Sequence, residues 1–270
     1  MKTRPRNSIE ILSIGNELLI GHTLDTNSNW IASQAIQQGW NLQRVTQLRD
    51  SVQEIRQGIR EALKRSPKLL ITVGGLGPTH DDMTLRGVSQ ALGKPLALNK
   101  EALGMVRSHY NRLEETTSLT KPRRKMAILP NGAKPLPNPS GTAPGVIMQS
   151  GTTKIVCLPG VPREMKAIFR TSIIPVLRKT KAAPSKQAYL SLVGIIESAL
   201  APVLETAQAK YPGLYFKSHP KGEETGARSK IQLHIYSTDP NSGAKIGDAV
   251  KHVLDSLSSL KSGRSSSYRS

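Results

Sequence analysis

Residues 74–84, with the sequence GGLGPTHDDMT, combine glycines, carboxylates and a threonine in an order that suits phosphate binding. The glycines carry no side chain, so backbone N–H groups of this segment can approach a ligand closely. The segment follows an apolar run at 69–73 and precedes a predicted helix at 83–92, whose N-terminus offers free N–H groups and a positive dipole. It has neither the Gly-Lys-Ser/Thr ending of a P-loop nor the GxGxxG spacing of a dinucleotide fold. The pattern therefore predicts a phosphate site of another kind.

Asp82 is the predicted metal ligand of this segment and a predicted catalytic residue. It lies two residues before Thr84, and two oxygen ligands beside a phosphate suit Mg²⁺ or a similar ion, which binds few carboxylates and keeps several waters. For Asp81 we favour a structural role, because acids at the start of a helix complement its dipole. His80 could act as a general base, but histidines in loops are usually bystanders.

A second polar segment, 15–27, follows the first predicted strand. The carboxyl ends of parallel strands meet at one edge of a sheet, so this segment is expected beside the glycine-rich one. Glu17 and Asp25 are then candidates for a further catalytic carboxylate near the metal or for binding ligand hydroxyls, and Asn27 is a candidate substrate contact. The alternative for Asp25 or Asn27 is to cap the following helix.

A third constellation consists of NPSGTAPG at 138–145 and LPGVPREM at 158–165. Gly160 could offer N–H groups to a second anion, although the segment around it could equally be a rigid turn. The predicted substrate contacts here are Asn138, Gly141, Thr142, Gly160 and Arg163. The basic run 121–125 could clamp a pyrophosphate, or it could be a solvated face.

Strand-like and helix-like segments alternate along the first two thirds of the chain, which predicts an α/β fold with a doubly wound parallel sheet. The apolar run at 69–73 has no polar alternation, as is typical of a strand covered on both faces. The segment 130–145 is rich in proline and glycine and is predicted to be a loop. Strands are predicted at 9–14, 42–48, 69–73, 146–148 and 154–158, and helices at 27–38, 52–64, 83–92, 101–115 and 163–177.

The polar, proline-containing segment 179–186 predicts a boundary between a main domain at 8–180 and a small α+β domain at 187–260. The Ser/Arg-rich tail, 261–270, is predicted to be disordered. In the small domain, strands are predicted at 188–193, 214–217 and 231–236, and helices at 197–211 and 242–260.

The formal net charge of +19 is concentrated in the middle of the chain. A field of this sign attracts anions such as nucleotides, phosphorylated metabolites or RNA. No aromatic residues interleave with the basic ones, as a stacking platform for single strands would require, and an ordinary basic surface is the alternative. Cys157 is the only cysteine and is predicted to lie in the core, which excludes a disulfide framework. Since the sequence also lacks an apolar run long enough for a membrane span, we expect a cytoplasmic protein.

The ordered motifs at 14–27, 73–84, 138–145 and 158–165 resemble those of the CinA family of competence/damage-inducible proteins. The resemblance extends over about residues 9–260. It implies the three-layer fold that the N-terminal part of CinA shares with MoaB and MogA, followed by a small KH-like module. The residues that it places in a pterin or nucleotide pocket are Gly74, Gly75, Gly77, Asp82 and Thr84, and more loosely Glu17, Asp25 and Asn27.

The resemblance also implies an activity, because CinA-like enzymes hydrolyse ADP-ribose or FAD at the pyrophosphate. They use a divalent metal (Co²⁺, Mg²⁺ or Mn²⁺) with help from K⁺, and related folds form dimers or trimers. The first hypothesis is therefore a metal-dependent pyrophosphatase that converts ADP-ribose to AMP and ribose 5-phosphate. We expect no amidohydrolase activity, since that domain of longer CinA proteins needs more than a hundred further residues.

Two alternatives stay open at this stage. One is a molybdopterin- or nucleotide-binding protein without turnover, because the sequence supplies no clear general base. The other is an RNA-associated protein that acts through its basic C-terminal half, although the small module has no clear GxxG loop. The basic run at 121–125 departs from the usual CinA pattern, which puts the substrate clamp in question.

Overall fold

A computed structural model describes residues 7–112, 119–180, 186–221, 229–237 and 242–265, with side chains through residue 259. The chain divides into two compact units, one within Met1–Ala182 and one within Ala183–Ser270. In the first unit the elements are β1 (Ser8–Ile14), α1 (Asn16–Leu19), α2 (Thr26–Gln37), β2 (Asn41–Leu48), α3 (Val52–Lys64), β3 (Leu69–Val73), α4 (Thr84–Leu92), β4 (Leu96–Leu98), α5 (Lys100–Arg112), α6 (Lys121–Lys125), β5 (Ile128–Pro130), β6 (Lys134–Leu136), β7 (Gly145–Ser150), β8 (Thr153–Leu158), α7 (Pro162–Ile168), a π-helical turn (Phe169–Ile173) and α8 (Ile174–Arg178).

The main sheet has six strands in the order β2-β1-β3-β8-β7-β6. Strands β2, β1, β3 and β8 are parallel, and β7 and β6 are antiparallel to their neighbours. The short strands β4 and β5 pair with each other in a separate antiparallel ladder. The parallel part of the sheet therefore brings four strand carboxyl ends to one edge.

Helices cover both faces of this sheet, because alternate residues of each strand point to opposite sides. On one face, Leu12 and Leu70 pack in a cluster with residues of α3, α4 and α5. On the other face, Ile11 and Ile71 pack with residues of α2 and of the α7–α8 segment. The predicted doubly wound three-layer arrangement is confirmed. Cys157 is fully buried, as predicted, and burial raises the pKa of its thiol to about 11.

The segment predicted to be one proline-rich loop, 130–145, contains strand β6 and the end of β5. Pro135 is tolerated in β6 because that strand lies at the edge of the sheet, where a missing backbone N–H costs least. Three-residue strands give too few residues for an alternation to show, so β4, β5 and β6 could not be found from periodicity. The basic run Lys121–Lys125, left open between a clamp and a solvated face, forms the short helix α6.

A π-helical turn interrupts the predicted helix at 163–177. Pro175 follows it and has no N–H to donate to the carbonyl four residues earlier, so a regular α-helix cannot continue there unchanged. The three segments α7, Phe169–Ile173 and α8 nevertheless follow one another without a gap and bury Phe169 against the sheet.

The second unit consists of β9 (Gln187–Val193), α9 (Glu197–Lys210), β10 (Tyr215–Pro220), β11 (Lys230–Tyr236) and α10 (Gly243–Ser265). Its antiparallel sheet has the order β10-β11-β9, and both helices contribute residues to one hydrophobic cluster with it. Helix α10 runs past its predicted end at Leu260, because no capping signal in the sequence stops it there. The tail predicted to be disordered began at residue 261, but α10 includes 261–265; residues 266–270 lie outside the described residues, and their disorder stays a prediction. No helix in the described ranges is both long and apolar enough to span a membrane.

Candidate functional site

A cavity of about 460 Å³ opens at the carboxyl edge of the parallel strands. The residues just after β1, β2, β3 and β8 all reach it: Gly15, Asp50, Gly74 and Gly160. Strands β2 and β3 flank β1 on opposite sides. The connection that leaves β1 therefore runs toward one edge of the sheet, and the connection that leaves β2 runs back toward the other edge. Ligands of doubly wound sheets bind at such a switch point.

Gly74 and Gly75 give the glycine-rich loop its shape. Their φ angles are 108° and 64°, values that side-chain-bearing residues rarely adopt. A Cβ on Gly74 would lie 2.2 Å from the carbonyl oxygen of Ile14, so the backbone of this loop touches the end of β1. Buried Thr84 donates its hydroxyl to the Gly74 carbonyl oxygen at 2.7 Å. Thr84 therefore holds the loop from behind, and Gly74, Gly75 and Gly77 line the cavity.

Asp82 shapes the same loop and faces the cavity. Its Oδ2 accepts the backbone N–H of Thr79 at 2.8 Å and the Thr79 hydroxyl at 2.6 Å. The Thr79 hydroxyl also contacts Asp81 Oδ1, and this hydrogen bond lowers the pKa of the exposed Asp81 carboxyl. Helix α4 begins at Thr84 with Met83 as its N-cap, so both aspartates lie in the loop before it. Asp81, for which we favoured a dipole role, lines the cavity too.

Negative charge dominates the wall of the cavity. Among the described residues that line it, five are carboxylates and none is lysine or arginine; the carboxylates are Glu17, Asp50, Asp81, Asp82 and Glu164. Burial raises the pKa of Asp50, and the nearby charges of Glu17, Asp81 and Asp82 raise it further, against a hydrogen bond from the Asn16 N–H at 2.8 Å. A cation bound beside an anionic ligand would offset this negative charge.

Asp50 was not a sequence candidate, although it follows a strand in the same way as the segments after β1 and β3, which were selected because strand carboxyl ends meet at one edge of the sheet. It lies two residues beyond the end of β2, a strand that was predicted from the sequence. Asp50 was missed because no glycine-rich or polar motif surrounds it. Its position relative to the sheet edge was the only signal.

The predicted basic clamp lies outside the cavity wall. Lys125 donates its Nζ to the Thr79 carbonyl oxygen and lines a second cavity of about 260 Å³ behind the same loop. Burial lowers the pKa of Lys125. The guanidinium of Arg123 stacks 3.7 Å above the ring of Tyr110, which does line the main cavity. Exposed Arg163 does not line the cavity among the described contacts.

The motif at 138–145 positions a carboxylate. Asn138 donates its Nδ2 to Glu164 Oε2 at 2.6 Å and to the Ala143 carbonyl oxygen at 2.8 Å. A Cβ on Gly141 would lie 2.1 Å from the carboxyl carbon of Glu164, so a larger residue there would displace this carboxylate. Asn138 and Gly141 therefore contact Glu164 and do not line the cavity themselves. Thr142 and Gly160, which were also predicted as substrate contacts, do line it.

Asp25 and Asn27 lie at the N-terminus of α2, outside the cavity wall. Asp25 Oδ1 accepts the Ser28 N–H at 2.9 Å, which is the capping role left open from the sequence. Asn27 donates its Nδ2 to the Gly160 carbonyl oxygen at 2.7 Å and so fixes a lining residue. The second carboxylate oxygen of Asp25 and the amide oxygen of Asn27 are buried and have no hydrogen-bond partner among the described protein groups.

The donor set of the cavity suits a hard divalent cation. It offers carboxylate oxygens, which Mg²⁺ and similar ions prefer, and a negative potential strong enough to act on Asp50. No three His, Cys, Asp or Glu side chains of the described chain converge to form a complete metal site. An ion here would therefore take further oxygen ligands from the substrate and from water, as Mg²⁺ does beside phosphates.

The first unit matches the family described as "Probable molybdopterin binding domain" over residues 10–179. The chain is 42% identical over 256 residues to a protein of Pyrobaculum arsenaticum, with 94% of each chain covered. It is 44% identical over 218 residues to a protein of Aeropyrum pernix, with 80% of each chain covered. The crystal structure of the protein CinA with unknown function from Thermoplasma acidophilum superposes with a TM-score of 0.59 at 36% identity and covers 63% of this chain and 98% of that chain. The chain therefore belongs to the molybdopterin-binding-domain family, and its first unit has the MoaB/Mog-like fold shared with CinA.

Proposed function

We propose that this protein is a divalent-metal-dependent nucleotide pyrophosphatase that hydrolyses ADP-ribose or a related dinucleotide. The observation that carries the proposal is the composition of the cavity wall: glycine backbone, five carboxylates and no basic side chain among the described lining residues. Backbone N–H groups suit phosphate oxygens, and the carboxylates suit the cation that a pyrophosphate brings with it.

Two strand ends and one residue of helix α5 would hold the substrate. The Gly74–Gly75 backbone would bind one phosphate, and Gly160, fixed by Asn27, would bind the other. Tyr110, held by Arg123, lies on the wall of the same cavity and offers a ring face to the base or the ribose. We expect these contacts to fix the orientation of the pyrophosphate before water attacks.

In the proposed reaction, the oxygen of a water molecule bonds to one phosphorus while the bridging P–O bond to the other phosphate breaks. The products are AMP and ribose 5-phosphate, and two protons are released at neutral pH. The raised pKa of Asp50 favours it as the acceptor of a proton from the attacking water, and hydrogen bonds with Thr79 fix the Asp82 carboxylate. A divalent ion held by Asp82 with Glu17 would supply positive charge to the phosphate oxygens.

A second candidate is a pterin- or nucleotide-binding protein without turnover. It is favoured by one observation: no histidine lies among the described residues that line the cavity, so a neutral-pH general base is not obvious. The family description, molybdopterin binding, fits this candidate equally well. The two candidates share a ligand class and differ only in whether the bound pyrophosphate is cleaved.

The experiment that separates them follows AMP by chromatography with ADP-ribose, FAD or NAD and Mg²⁺, Mn²⁺ or Co²⁺, with and without K⁺. We expect AMP from at least one combination, and a loss of at least 100-fold in Asp82→Asn, whose amide keeps the size of the carboxylate. The control is Glu61→Gln on the exposed surface of α3, which lies outside the cavity and should leave the rate unchanged.

The outcomes have different meanings. If no combination yields AMP but the nucleotide binds, the binding candidate replaces the pyrophosphatase. If AMP appears and Asp82→Asn retains the full rate, the cleavage does not use this cavity as proposed.

We also propose self-association as a dimer or trimer, which the resemblance to related folds implies. Apolar side chains beside the cavity support it: Ile20 and Leu24 are 73% and 84% exposed. Multi-angle light scattering of the full chain should give more than one copy. A monomer with full activity would contradict this part of the proposal.

A further inference from the structure

The sheet of the second unit has one face that its helices do not cover. Alternate side chains of the strands, such as Leu192, Leu233 and Phe216, pack in the cluster with α9 and α10. The side chains between them point to the other face and form rows across the three strands. These rows are Tyr215–Tyr236–Gln187, Lys217–His234–Tyr189 and His219–Gln232–Ser191.

Four rings on this face form one continuous stack. Tyr189 and His234 have centroids 4.3 Å apart and planes 9° apart; His234 and Tyr236 follow at 4.6 Å and 26°. Tyr236 and Tyr215 complete the stack at 5.1 Å and 17°. Burial lowers the pKa of His234, which favours the neutral form of its ring. We name this set the aromatic stack.

The sequence gives no sign of the stack because its members lie far apart. The absence of aromatic residues among the basic ones in the middle of the chain argued against a stacking platform. The antiparallel register instead brings Tyr189, Tyr215 and the two rings of β11 together. The sequence pattern therefore did not indicate this arrangement of stacked rings in the second unit.

The two end rings are the open positions of the stack. Tyr189 and Tyr215 are 54% and 51% exposed, and each packs against one ring of the stack. Cross-strand ring pairs do stabilise a sheet, but they need neither a run of four nor half-exposed ends. An exposed ring face can take another planar π-system on top of it, which is how aromatic side chains bind unpaired bases.

The surroundings of the stack are basic and polar. Lys217 and His219 lie on β10, and Lys230 begins β11. Within the described residues of the three strands there is no aspartate or glutamate. This charge favours an anionic ligand over a basic or apolar protein segment, and the exposed ring faces favour an anion that carries planar bases. The neutral polar side chains of Ser191 and Gln232 can bond ribose hydroxyls.

We propose that this face of the second unit binds single-stranded RNA. Unpaired bases extend the aromatic stack at Tyr189 and at Tyr215, and Lys217 and Lys230 contact the phosphates between and beside them. The site does not involve the cavity of the first unit, so the proposal stands or falls independently of the pyrophosphatase.

The test is fluorescence anisotropy of the full chain with labelled eight-nucleotide oligoadenylate and oligouridylate. Replacing Tyr189 or Tyr215 by alanine should weaken binding by about 5-fold or more each, since stacking of one base contributes about 1–3 kcal/mol. Tyr189→Phe and Tyr215→Phe keep the ring and should bind like the parent. Circular dichroism of each variant confirms that the sheet has formed.

Charge variants provide a matched comparison within the same unit. Lys217→Ala with Lys230→Ala should weaken binding and flatten its dependence on salt, because fewer counterions are released. Lys245→Ala with Lys251→Ala removes the same charge from α10, outside the stack face, and should change binding much less. Equal effects of the two pairs would contradict the location.

Three outcomes overturn the proposal. They are the absence of RNA binding, full binding by the Tyr→Ala variants, and equal binding of an RNA duplex, whose bases are already stacked inside. Oligodeoxyadenylate lacks the ribose hydroxyl and should bind more weakly, and equal binding of this DNA would overturn the assignment to RNA.

Discussion

Asp82 has two roles, and a substitution to alanine would remove both at once. One carboxylate oxygen holds the backbone and the hydroxyl of Thr79, while the side chain also faces the cavity. A loss of activity on truncation could come from a collapsed loop or from a missing metal ligand. For this reason the amide variant, which retains an acceptor for Thr79, is the better test of chemistry.

Gly74 provides a prediction about the loop itself. Gly74→Ala should lower the free energy of unfolding by about 2–4 kcal/mol, because it strains the backbone and forces Cβ onto the Ile14 carbonyl oxygen. Gly93→Ala is the control: its φ is also positive, but nothing lies within 4 Å of its Cβ position, so only about 1 kcal/mol is expected. Urea denaturation measures both, and equal costs would contradict the close contact of loop and strand.

Asp50 provides a prediction about charge. Its pKa is raised above the ordinary value of 3.8, chiefly by burial. Such a carboxyl contributes stability that is complete below pH 3.8 and is lost as the pH rises through its folded-state pKa. Asp50→Asn carries no charge and can still accept the Asn16 N–H, so it should unfold at a higher temperature than the parent at pH 7 in EDTA.

The pH dependence of the stability difference between Asp50→Asn and the parent is the control for this prediction. The difference between Asp50→Asn and the parent should shrink as the pH falls toward 4, where the parent carboxyl becomes neutral. A variant that is less stable than the parent at pH 7 would contradict the assignment, as would a difference that grows on acidification.

At the scale of elements, strand order explains how distant segments form one cavity. The strands and helices that build it have clear periodicity or apolar runs, so the sheet and its carboxyl edge could be predicted from the sequence. The rule that strand ends meet at one edge brought the segments after β1 and β3 together. Side-chain direction was not predictable, because a motif does not show whether Asp25 points to a ligand or caps its own helix.

Elements that are too short to show hydrophobic periodicity could not be predicted, for a different reason. Strands β4, β5 and β6 are three residues long and depend on tertiary pairing, and helix α6 is a basic turn that neighbouring contacts hold. The aromatic stack depends on register between strands, which sequence spacing does not contain. Each of these features arises from contacts between segments and not from the segment alone.

An ion pair that joins β1 to the C-terminal end of α3 allows a prediction at the scale of elements. Glu10 is buried and accepts hydrogen bonds from the Arg65 guanidinium at 2.7, 2.9 and 3.0 Å. Arg65→Met should destabilise the fold by about 3–5 kcal/mol, because it leaves a buried charge without a partner. The double variant Glu10→Met/Arg65→Met should recover much of that loss in urea denaturation. A double variant as unstable as the single one would contradict the pairing.

At the scale of the whole molecule, the two proposed anion-binding surfaces of this chain differ in composition. The cavity of the first unit has carboxylates around a glycine loop, whereas the aromatic stack of the second has lysines around rings. The overall charge of +19 therefore does not describe the cavity, whose described lining carries no lysine or arginine. Salt should affect the two surfaces differently, with steep dependence expected only for the stack.

The most direct test of the proposed cavity chemistry is calorimetric titration of the protein with ADP-ribose, with Mg²⁺ or with EDTA. Because carboxylates surround the phosphate site, we predict binding with Mg²⁺ and at least 10-fold weaker binding in EDTA. Asp82→Asn should lose most of the difference. Binding that is equally tight in EDTA would contradict the central claim that this cavity takes its pyrophosphate together with a divalent cation.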